Sequence, residues 1–167
     1  ALYAFNPQVV LIMPSEHRCR YPGALTDPVG KPREAIRQVS EQLVGLATRC
    51  HDQAGAEIIL CNFMPTSDFD PGPLRTRSLG SDWSFLKSVN LELGLNAPSF
   101  VHVCDLEFLA ARRGTLTSRD ERRWFESKQP CSSALMPDVA REVSQIVGSI
   151  RRPPRKVLAL DLDNTLW

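Results

Sequence analysis

The sequence predicts an α/β protein of the doubly wound class, in which a parallel sheet carries helices on both faces. Short apolar runs alternate along the chain with segments of helical periodicity. The runs are apolar throughout rather than alternating with polar residues, as expected for strands that are covered on both faces. The chain has 167 residues, of which 43% are hydrophobic and 23% charged. This composition is typical of a folded globular domain.

The first strand is predicted over residues 7–13, closed by Pro14. Because the run is apolar and rich in β-branched residues, we expect a central strand. A long amphipathic helix is predicted next, from Pro32 to a stop at Gly55. Its apolar residues recur at three- and four-residue spacing: Ile36, Val39, Leu43, Leu46, Ala47 and Cys50.

The middle of the chain repeats this alternation. Residues 57–62 predict a second buried strand, followed by a loop rich in Pro and Gly. A helix is predicted from an N-cap at Ser81 to Gly94, and residues 100–104 predict a third strand. A short helix that ends at Gly114 follows the third strand.

The last helix of this series is predicted to be capped by Ser133, with Pro137 tolerated in its first turn. Residues 151–156 are rich in Pro and Arg and interrupt every periodicity, which predicts a linker. We therefore expect one domain over residues 1–150 and the start of a second over residues 157–167. We also expect both domains to be truncated, the first lacking an initial strand that the doubly wound order places near the sheet centre.

Charge and cysteine content exclude several classes of function. Twenty basic residues stand against nineteen acidic ones, a net charge of +1, so neither nucleic acid nor a membrane surface is an expected partner. The five cysteines are odd in number and form no CxxC motif, which predicts reduced thiols and a cytoplasmic location. No apolar stretch has the length of a membrane span.

Two carboxylates near the end of the sequence predict a metal site. Residues 156–160 read as an apolar strand that delivers Asp161 and Asp163 at its carboxyl end, where α/β sheets bind ligands. Asp161 can attack phosphorus while Asp163 handles the proton of the leaving group, and Mg²⁺ offsets the repulsion between these anions and a phosphorylated small molecule. A simpler interpretation is an Asp-rich turn that caps the next element, and a sugar-nucleotide metal clamp is a further alternative.

The string VLALDLDNTLW over residues 157–167 resembles motif I of the haloacid dehalogenase superfamily, and its DNTLW ending resembles the FkbH-like branch. The resemblance implies that Asp161 is the nucleophile, Asp163 the general acid and base, and Thr165 a hydrogen-bonding residue of the substrate loop. It also implies that Asp161 and Asp163 hold Mg²⁺. Because that superfamily needs further residues from later strands, we expect residues 1–167 alone to hydrolyse no phosphate ester.

Residues 1–150 resemble the SGNH-hydrolase-type, flavodoxin-like domain of FkbH-like proteins at residues 2–7, 61–63 and 124–130. The resemblance implies that Asn62 donates to an oxyanion; an Asn that hydrogen-bonds its own loop is an equal alternative. Where an Asp-x-x-His motif is expected, residues 126–129 read ESKQ, so the imidazole base is missing. We expect His17, His51 and His102 to be surface or structural residues. A binding role is therefore favoured over esterase activity.

Basic and aromatic side chains cluster near residue 128. Lys128 and Arg122 can meet an anionic substrate or an acidic carrier protein, although such residues are commonly solvated surface. We expect Trp124 and Phe125 to pack in the core, because the chain has few aromatic residues.

For the intact protein, the FkbH-like resemblance implies transfer of a glyceryl unit from 1,3-bisphosphoglycerate to the phosphopantetheine thiol of an acyl carrier protein. Such proteins supply extender units for polyketide assembly and related secondary metabolism. One alternative is that residues 1–150 only dock or scaffold the carrier protein. Another is a haloacid-dehalogenase-type phosphatase that acts on small molecules without a carrier.

Overall fold

The computed structural model describes residues 2–66 and 70–152, apart from the side chain at position 18. Three parallel strands form one sheet in chain order: β1 (Val9–Ile12), β2 (Glu57–Cys61) and β3 (Val101–Cys104). Parallel strands need crossover connections, and helices supply them here. The predicted α/β class with a parallel sheet is confirmed.

Seven α-helices and one 3₁₀-helix lie within the described residues. They are α1 (Leu2–Phe5), the 3₁₀-helix Glu16–Arg18, α2 (Gly30–Ala54), α3 (Leu74–Arg77), α4 (Asp82–Asn96), α5 (Leu106–Arg113), α6 (Glu121–Ser127) and α7 (Met136–Arg151). None of them has the length and apolar character that crossing a bilayer requires.

The two faces of β2 explain why residues 58–61 are apolar. Ile58 and Leu60 pack with residues of α2 and α4, whereas Ile59 and Cys61 pack with residues of α5 and α7. All four side chains are completely buried. Side chains alternate between the faces of a strand, so a strand covered on both sides has no polar positions. Helices on both faces are the arrangement that the doubly wound class predicts.

Helix ends follow the local sequence closely. Gly55 has φ of +62° and donates its N–H to the carbonyl of His51 at 2.7 Å, which terminates α2 as predicted. Ser81 is the N-cap of α4 and accepts from Ser84 N at 3.2 Å, also as predicted. Pro32 lies in the first turn of α2, which begins two residues earlier than predicted.

The prediction that the first strand is central is wrong for the described sheet. β1 pairs only with β2 among the described residues, and Leu11 is 45% exposed. Because β1 and β2 are direct partners, no strand lies between them. Within the described residues the three strands thus pair in chain order, β1-β2-β3, and the predicted truncation stays a prediction.

Other local expectations need correction. α4 continues past Gly94 to Asn96, because an isolated glycine weakens a helix without ending it. Ser133 does not cap α7; the helix starts at Met136, and the Ser132 hydroxyl accepts from Leu135 N at 3.3 Å instead. The sequence also gave no prediction of α6.

Phe125 does not belong to the core. Its side chain is 71% exposed on α6, so the expectation that it packs inside is wrong. Six of the seven residues of α6, Phe125 among them, are exposed to solvent, and only Trp124 is half-buried. Adjacent residues of a helix point in different directions, so the single short helix α6 does not turn both Trp124 and Phe125 towards the core.

α7 ends at Arg151, the first residue of the predicted linker. The rest of the linker and the start of the second domain lie outside the described residues. The proposed boundaries at 150 and 156 therefore stay predictions.

Candidate functional site

The carboxyl ends of β2 and β3 bring two polar side chains together. Cys61 and Cys104 are register partners at the ends of these strands, so Asn62 and Asp105 follow them side by side. The Asn62 amide Nδ2 donates to Asp105 Oδ1 at 2.8 Å. Asp105 is also the N-cap of α5, since the same Oδ1 accepts from Phe108 N at 3.0 Å. The Asp105 carboxylate thus links Asn62, at the end of β2, to the first turn of α5.

Asn62 is only 4% exposed, and both of its polar atoms are engaged. Besides the bond from Nδ2 to Asp105, its Oδ1 accepts from Glu107 N at 3.3 Å. The partners therefore lie on the β3–α5 connection and not in the loop of Asn62 itself. Each amide atom retains one further hydrogen-bonding position. The predicted substrate-binding role of Asn62 stays a prediction.

Asn90 of α4 holds the chain immediately after Asn62. Its Oδ1 accepts from Phe63 N at 2.9 Å, and its Nδ2 donates to Phe63 O at 2.8 Å and to Glu107 Oε2 at 2.7 Å. Asn90 is 7% exposed. Burying an amide is favourable only when its hydrogen bonds are made, and here they also satisfy the backbone of a buried loop residue.

An ion pair between α4 and α5 completes this network. Lys87 Nζ lies 2.5 Å from Glu107 Oε1, and the same ammonium stands 5.4 Å from the centroid of the Trp83 ring. The Lys87 side chain is 48% exposed, so the pair contributes little stability by itself. Its effect on the site is electrostatic, because it neutralises Glu107 and leaves Asp105 as the unpaired charge.

A cavity of about 490 Å³ opens beside these residues, between α4 and α5, and we call it the α4–α5 cavity. Asn62, Asp105 and Glu107 line its polar part. The other lining residues come from α4: Lys87, Ser88, Asn90, Leu91, Gly94 and Leu95. A cavity at the carboxyl ends of parallel strands is where α/β proteins place ligands.

A second cavity of about 490 Å³ lies between α5 and α7. Two of its three lining arginines share one carboxylate: Arg113 Nε is 2.6 Å and Arg141 Nη1 is 3.3 Å from Asp138. These two cations lower the pKa of Asp138, chiefly through the hydrogen bond from Arg113. The residues that directly follow β2 and β3, Asn62 and Asp105, line the α4–α5 cavity and not the second cavity, so the α4–α5 cavity is the better candidate.

Three buried thiols lie beneath the strand ends. Cys61, Cys104 and Cys131 share one core cluster, and Cys61 is hydrogen-bonded to Cys104. This hydrogen bond and burial raise the pKa of Cys61 far above its ordinary value. Burial raises the pKa of Cys131 to about 11. Cys61 and Cys131 are therefore protonated near neutral pH and are poor nucleophiles, whereas the hydrogen bond with Cys61 lowers the pKa of Cys104. All five cysteines are free and buried, and the reduced state expected for the protein stays a prediction.

Lys128 lies in a different environment from Asn62. It is the C-cap of α6 with φ of +58°, and its Nζ stands 5.2 Å from the Trp124 ring centroid and 5.9 Å from that of Phe125. Lys128 does not line the α4–α5 cavity. The structure therefore does not bring Asn62 and Lys128 into one cavity, and the substrate-binding role of Lys128 stays a prediction.

The three histidines make packing or ion-pair contacts. His17 stacks on Trp124 with ring centroids 4.6 Å apart, and His51 stacks on Phe100 at 3.9 Å. His102 Nε2 lies 2.9 Å from Glu57 Oε2 across neighbouring strands. None of the three lines the α4–α5 cavity.

The predicted catalytic and metal-binding residues Asp161 and Asp163, together with Thr165, lie outside the described residues. Within residues 2–66 and 70–152, no three His, Cys, Asp or Glu side chains converge in a way that could hold a metal ion. Asp161 and Asp163 offer the oxygen ligands that Mg²⁺ prefers, and the metal site assigned to them stays a prediction.

Sequence reasoning missed Asp105, Glu107 and Asn90. Asp105 follows β3 as Asn62 follows β2, so the same rule about carboxyl ends could have found it. Asn90 lies between the buried residues Val89 and Leu93 of α4. A polar residue on the core-facing side of a helix can be recognised in the sequence as a candidate for a buried hydrogen-bonding role. Glu107 gave no such signal.

Comparison with solved structures identifies a protein of similar fold. The crystal structure of the N-terminal part of BF1531 from Bacteroides fragilis, which contains a phosphatase domain complexed with Mg, aligns with 99% of this chain at a TM-score of 0.68 and 22% identity. This chain spans 43% of the length of that structure. At this identity the likeness establishes a shared α/β fold. No protein-family model matches the sequence, and no curated protein matches it.

Proposed function

We propose that this chain belongs to a Mg²⁺-dependent, haloacid-dehalogenase-type phosphotransferase of the FkbH-like branch. The observation that carries the proposal is the string of residues 157–167, in which an apolar run ends in Asp161, Asp163 and Thr165. The fold shared with a protein that contains a Mg-bound phosphatase domain supports it. The two carboxylates supply hard oxygen ligands, so this donor set suits Mg²⁺.

Each proposed residue has one task in the reaction. An oxygen of Asp161 forms a bond to phosphorus while the bond from phosphorus to the leaving oxygen breaks. Asp163 gives that oxygen a proton and later removes a proton from the water that releases phosphate. Thr165 holds the loop by hydrogen bonding. Bound Mg²⁺ supplies positive charge that lowers the repulsion between the carboxylates and the phosphate.

The proposed substrate is 1,3-bisphosphoglycerate, and the proposed acceptor is the phosphopantetheine thiol of an acyl carrier protein. The thiol attacks the acyl carbon, so that a C–S bond forms, the bond to the acyl-phosphate oxygen breaks, and inorganic phosphate leaves with the thiol proton. The second phosphate is the one that Asp161 removes. Support for this finer assignment comes from the FkbH-like ending DNTLW and from the resemblance of residues 1–150 to the domain that precedes such phosphatases.

Two aspartate variants of the intact protein test the proposal. With 1,3-bisphosphoglycerate, Mg²⁺ and carrier protein, we expect Asp161→Asn and Asp163→Asn each to abolish release of the second phosphate, so that intact-mass measurement finds a phosphoglyceryl and not a glyceryl group on the carrier protein. EDTA should do the same to the wild type. The exposed Glu126→Gln change is the matched control and should leave release unchanged. Release of the second phosphate that persists in Asp161→Asn or in EDTA would falsify the enzyme assignment.

A docking role for residues 1–150 is the second candidate function. The observation in its favour is that none of the three histidines lines the α4–α5 cavity, so no imidazole base stands beside Asn62 among the described residues. If Asn62→Ala abolishes glyceryl transfer yet retains carrier binding, the upstream domain takes part in the chemistry. Loss of carrier binding with intact phosphate release supports docking. Phosphate release that never requires a carrier supports a plain small-molecule phosphatase.

A further inference from the structure

The polar end of the α4–α5 cavity has unused hydrogen-bonding capacity. Asp105 Oδ1 accepts from Asn62 and from Phe108 N, whereas no hydrogen bond to Oδ2 exists within the described part of the chain. Asn62 Nδ2 uses one of its two N–H groups on Asp105, and the second meets no acceptor among the described residues. A donor and an acceptor therefore lie next to each other, held by a bond of 2.8 Å.

The charge of the cavity excludes anions. Its ionisable lining residues are Lys87, Asp105 and Glu107. Lys87 and Glu107 form an ion pair, so the carboxylate of Asp105 dominates the local potential. A phosphate or carboxylate ligand would meet a like charge at the polar end, which is unfavourable in a partly desolvated cavity. A neutral group with both an N–H and a C=O suits this end.

The opposite wall is apolar and open. Leu91 and Leu95 lie one turn apart on α4 and are 65% and 73% exposed. Gly94 lines the cavity beside them, and a Cβ built there meets no atom within 4 Å. The fold does not require this glycine, although a glycine within a helix costs about 1 kcal/mol relative to alanine. The space that it leaves is available to an aliphatic group.

We propose that the α4–α5 cavity binds a neutral aliphatic carboxamide, with its amide at Asn62 and Asp105 and its hydrocarbon part against Leu91, Gly94 and Leu95. A primary carboxamide presents an N–H and a C=O on one edge. The N–H donates to Asp105 Oδ2, and the carbonyl accepts from Asn62 Nδ2. The branched hydrocarbon then covers the two exposed leucines. The proposal rests on none of the residues assigned to the phosphate chemistry.

NMR titration of the whole chain with three small probes tests the proposal. Two of the probes each differ from the first in one property. Isovaleramide carries both the amide and the branched hydrocarbon, isovalerate replaces the amide by an anion, and acetamide lacks the hydrocarbon. We expect isovaleramide to give saturable shifts at the backbone amides of Leu91, Gly94, Leu95 and Glu107. Isovalerate and acetamide should each bind at least tenfold more weakly.

Two substitutions at one position locate the binding. Gly94→Met should fill the cavity and weaken isovaleramide binding at least tenfold, whereas Gly94→Ala should retain it; both residues favour helix, so the fold is kept. The proposal is overturned if isovaleramide gives no saturable shifts at these amides, if isovalerate binds equally well, or if Gly94→Met binds as tightly as Gly94→Ala.

Discussion

Asn90 satisfies both backbone hydrogen-bonding groups of Phe63, accepting from its N–H at 2.9 Å and donating to its carbonyl at 2.8 Å. This single side chain anchors the loop after β2 to α4. Because this loop begins with Asn62, which lines the α4–α5 cavity, the position of the candidate site depends on Asn90. This helix residue follows Phe63 by 27 positions in the chain.

Asn90→Ala should destabilise the fold by about 3 kcal/mol, because two buried backbone groups lose their partners at roughly 1–3 kcal/mol each. Urea unfolding followed by circular dichroism measures the change. Asn96→Ala is the matched control, since Asn96 is exposed at the end of the same helix and its loss should cost less than about 0.5 kcal/mol. Equal effects of the two changes would contradict the anchoring role.

Asp105→Ala should lower the unfolding free energy by about 1–2 kcal/mol, because it removes the N-cap of α5 and the partner of Asn62. Asp105→Asn should cost much less, since asparagine is also a good N-cap. Thermal or urea unfolding of the two variants checks this order. If both variants are equally unstable, the charge of Asp105, and not its cap, stabilises the structure.

Two glycine positions should respond in opposite directions to alanine. Gly94→Ala should stabilise the protein by up to about 1 kcal/mol, because Gly94 is helical and has open space around it. Gly55→Ala should destabilise it by about 1 kcal/mol, because the φ of +62° at the end of α2 is strained for alanine. Unfolding midpoints that shift in the same direction would contradict this assignment.

The phenol of Tyr21 should titrate unusually late. It donates to Asp27 Oδ2 at 2.7 Å, and this hydrogen bond raises the pKa of Tyr21 to about 12 and lowers that of Asp27. The stability from Tyr21 is complete below the ordinary tyrosine pKa near 10 and is lost as the pH rises through about 12. That from Asp27 is present above the ordinary Asp pKa and is lost as the pH falls through its lower folded value.

Ultraviolet titration of a Tyr3→Phe variant isolates Tyr21, because the chain has two tyrosines. We expect a midpoint of about 12, and Asp27→Ala in the same background should return it towards 10. A midpoint that does not respond to Asp27→Ala would show that the carboxylate is not the cause.

All five cysteines should resist alkylation in the native protein, because all are buried. With a pKa of about 11 for Cys131, only about one molecule in a thousand carries this thiolate at pH 8. Iodoacetamide treatment followed by intact-mass measurement should show five modifications in denaturant and almost none without it. Fast labelling of any cysteine in the native state would mean that the core opens readily.

Local sequence patterns foretold many helix and strand bounds. β2 could be predicted because burial on both faces demands an uninterrupted apolar run, and α2 because its apolar stripe and Gly55 define a helix and its end. These are properties of neighbouring residues. The role proposed for the two aspartates of residues 157–167 is likewise predicted from neighbouring residues in the sequence, and these aspartates lie outside the described residues.

Tertiary structure alone decided the pairing of β1 with β2, the exposure of Leu11 and the joining of Asn62 to Asp105. The last two residues are 43 positions apart, and only the register of Cys61 with Cys104 makes them neighbours. A hydrogen bond or a cavity depends on which distant segments meet, whereas hydrophobic periodicity reports only that a segment has a buried face. For this reason the sequence could single out Asn62, but only the folded sheet shows which carboxylate it holds.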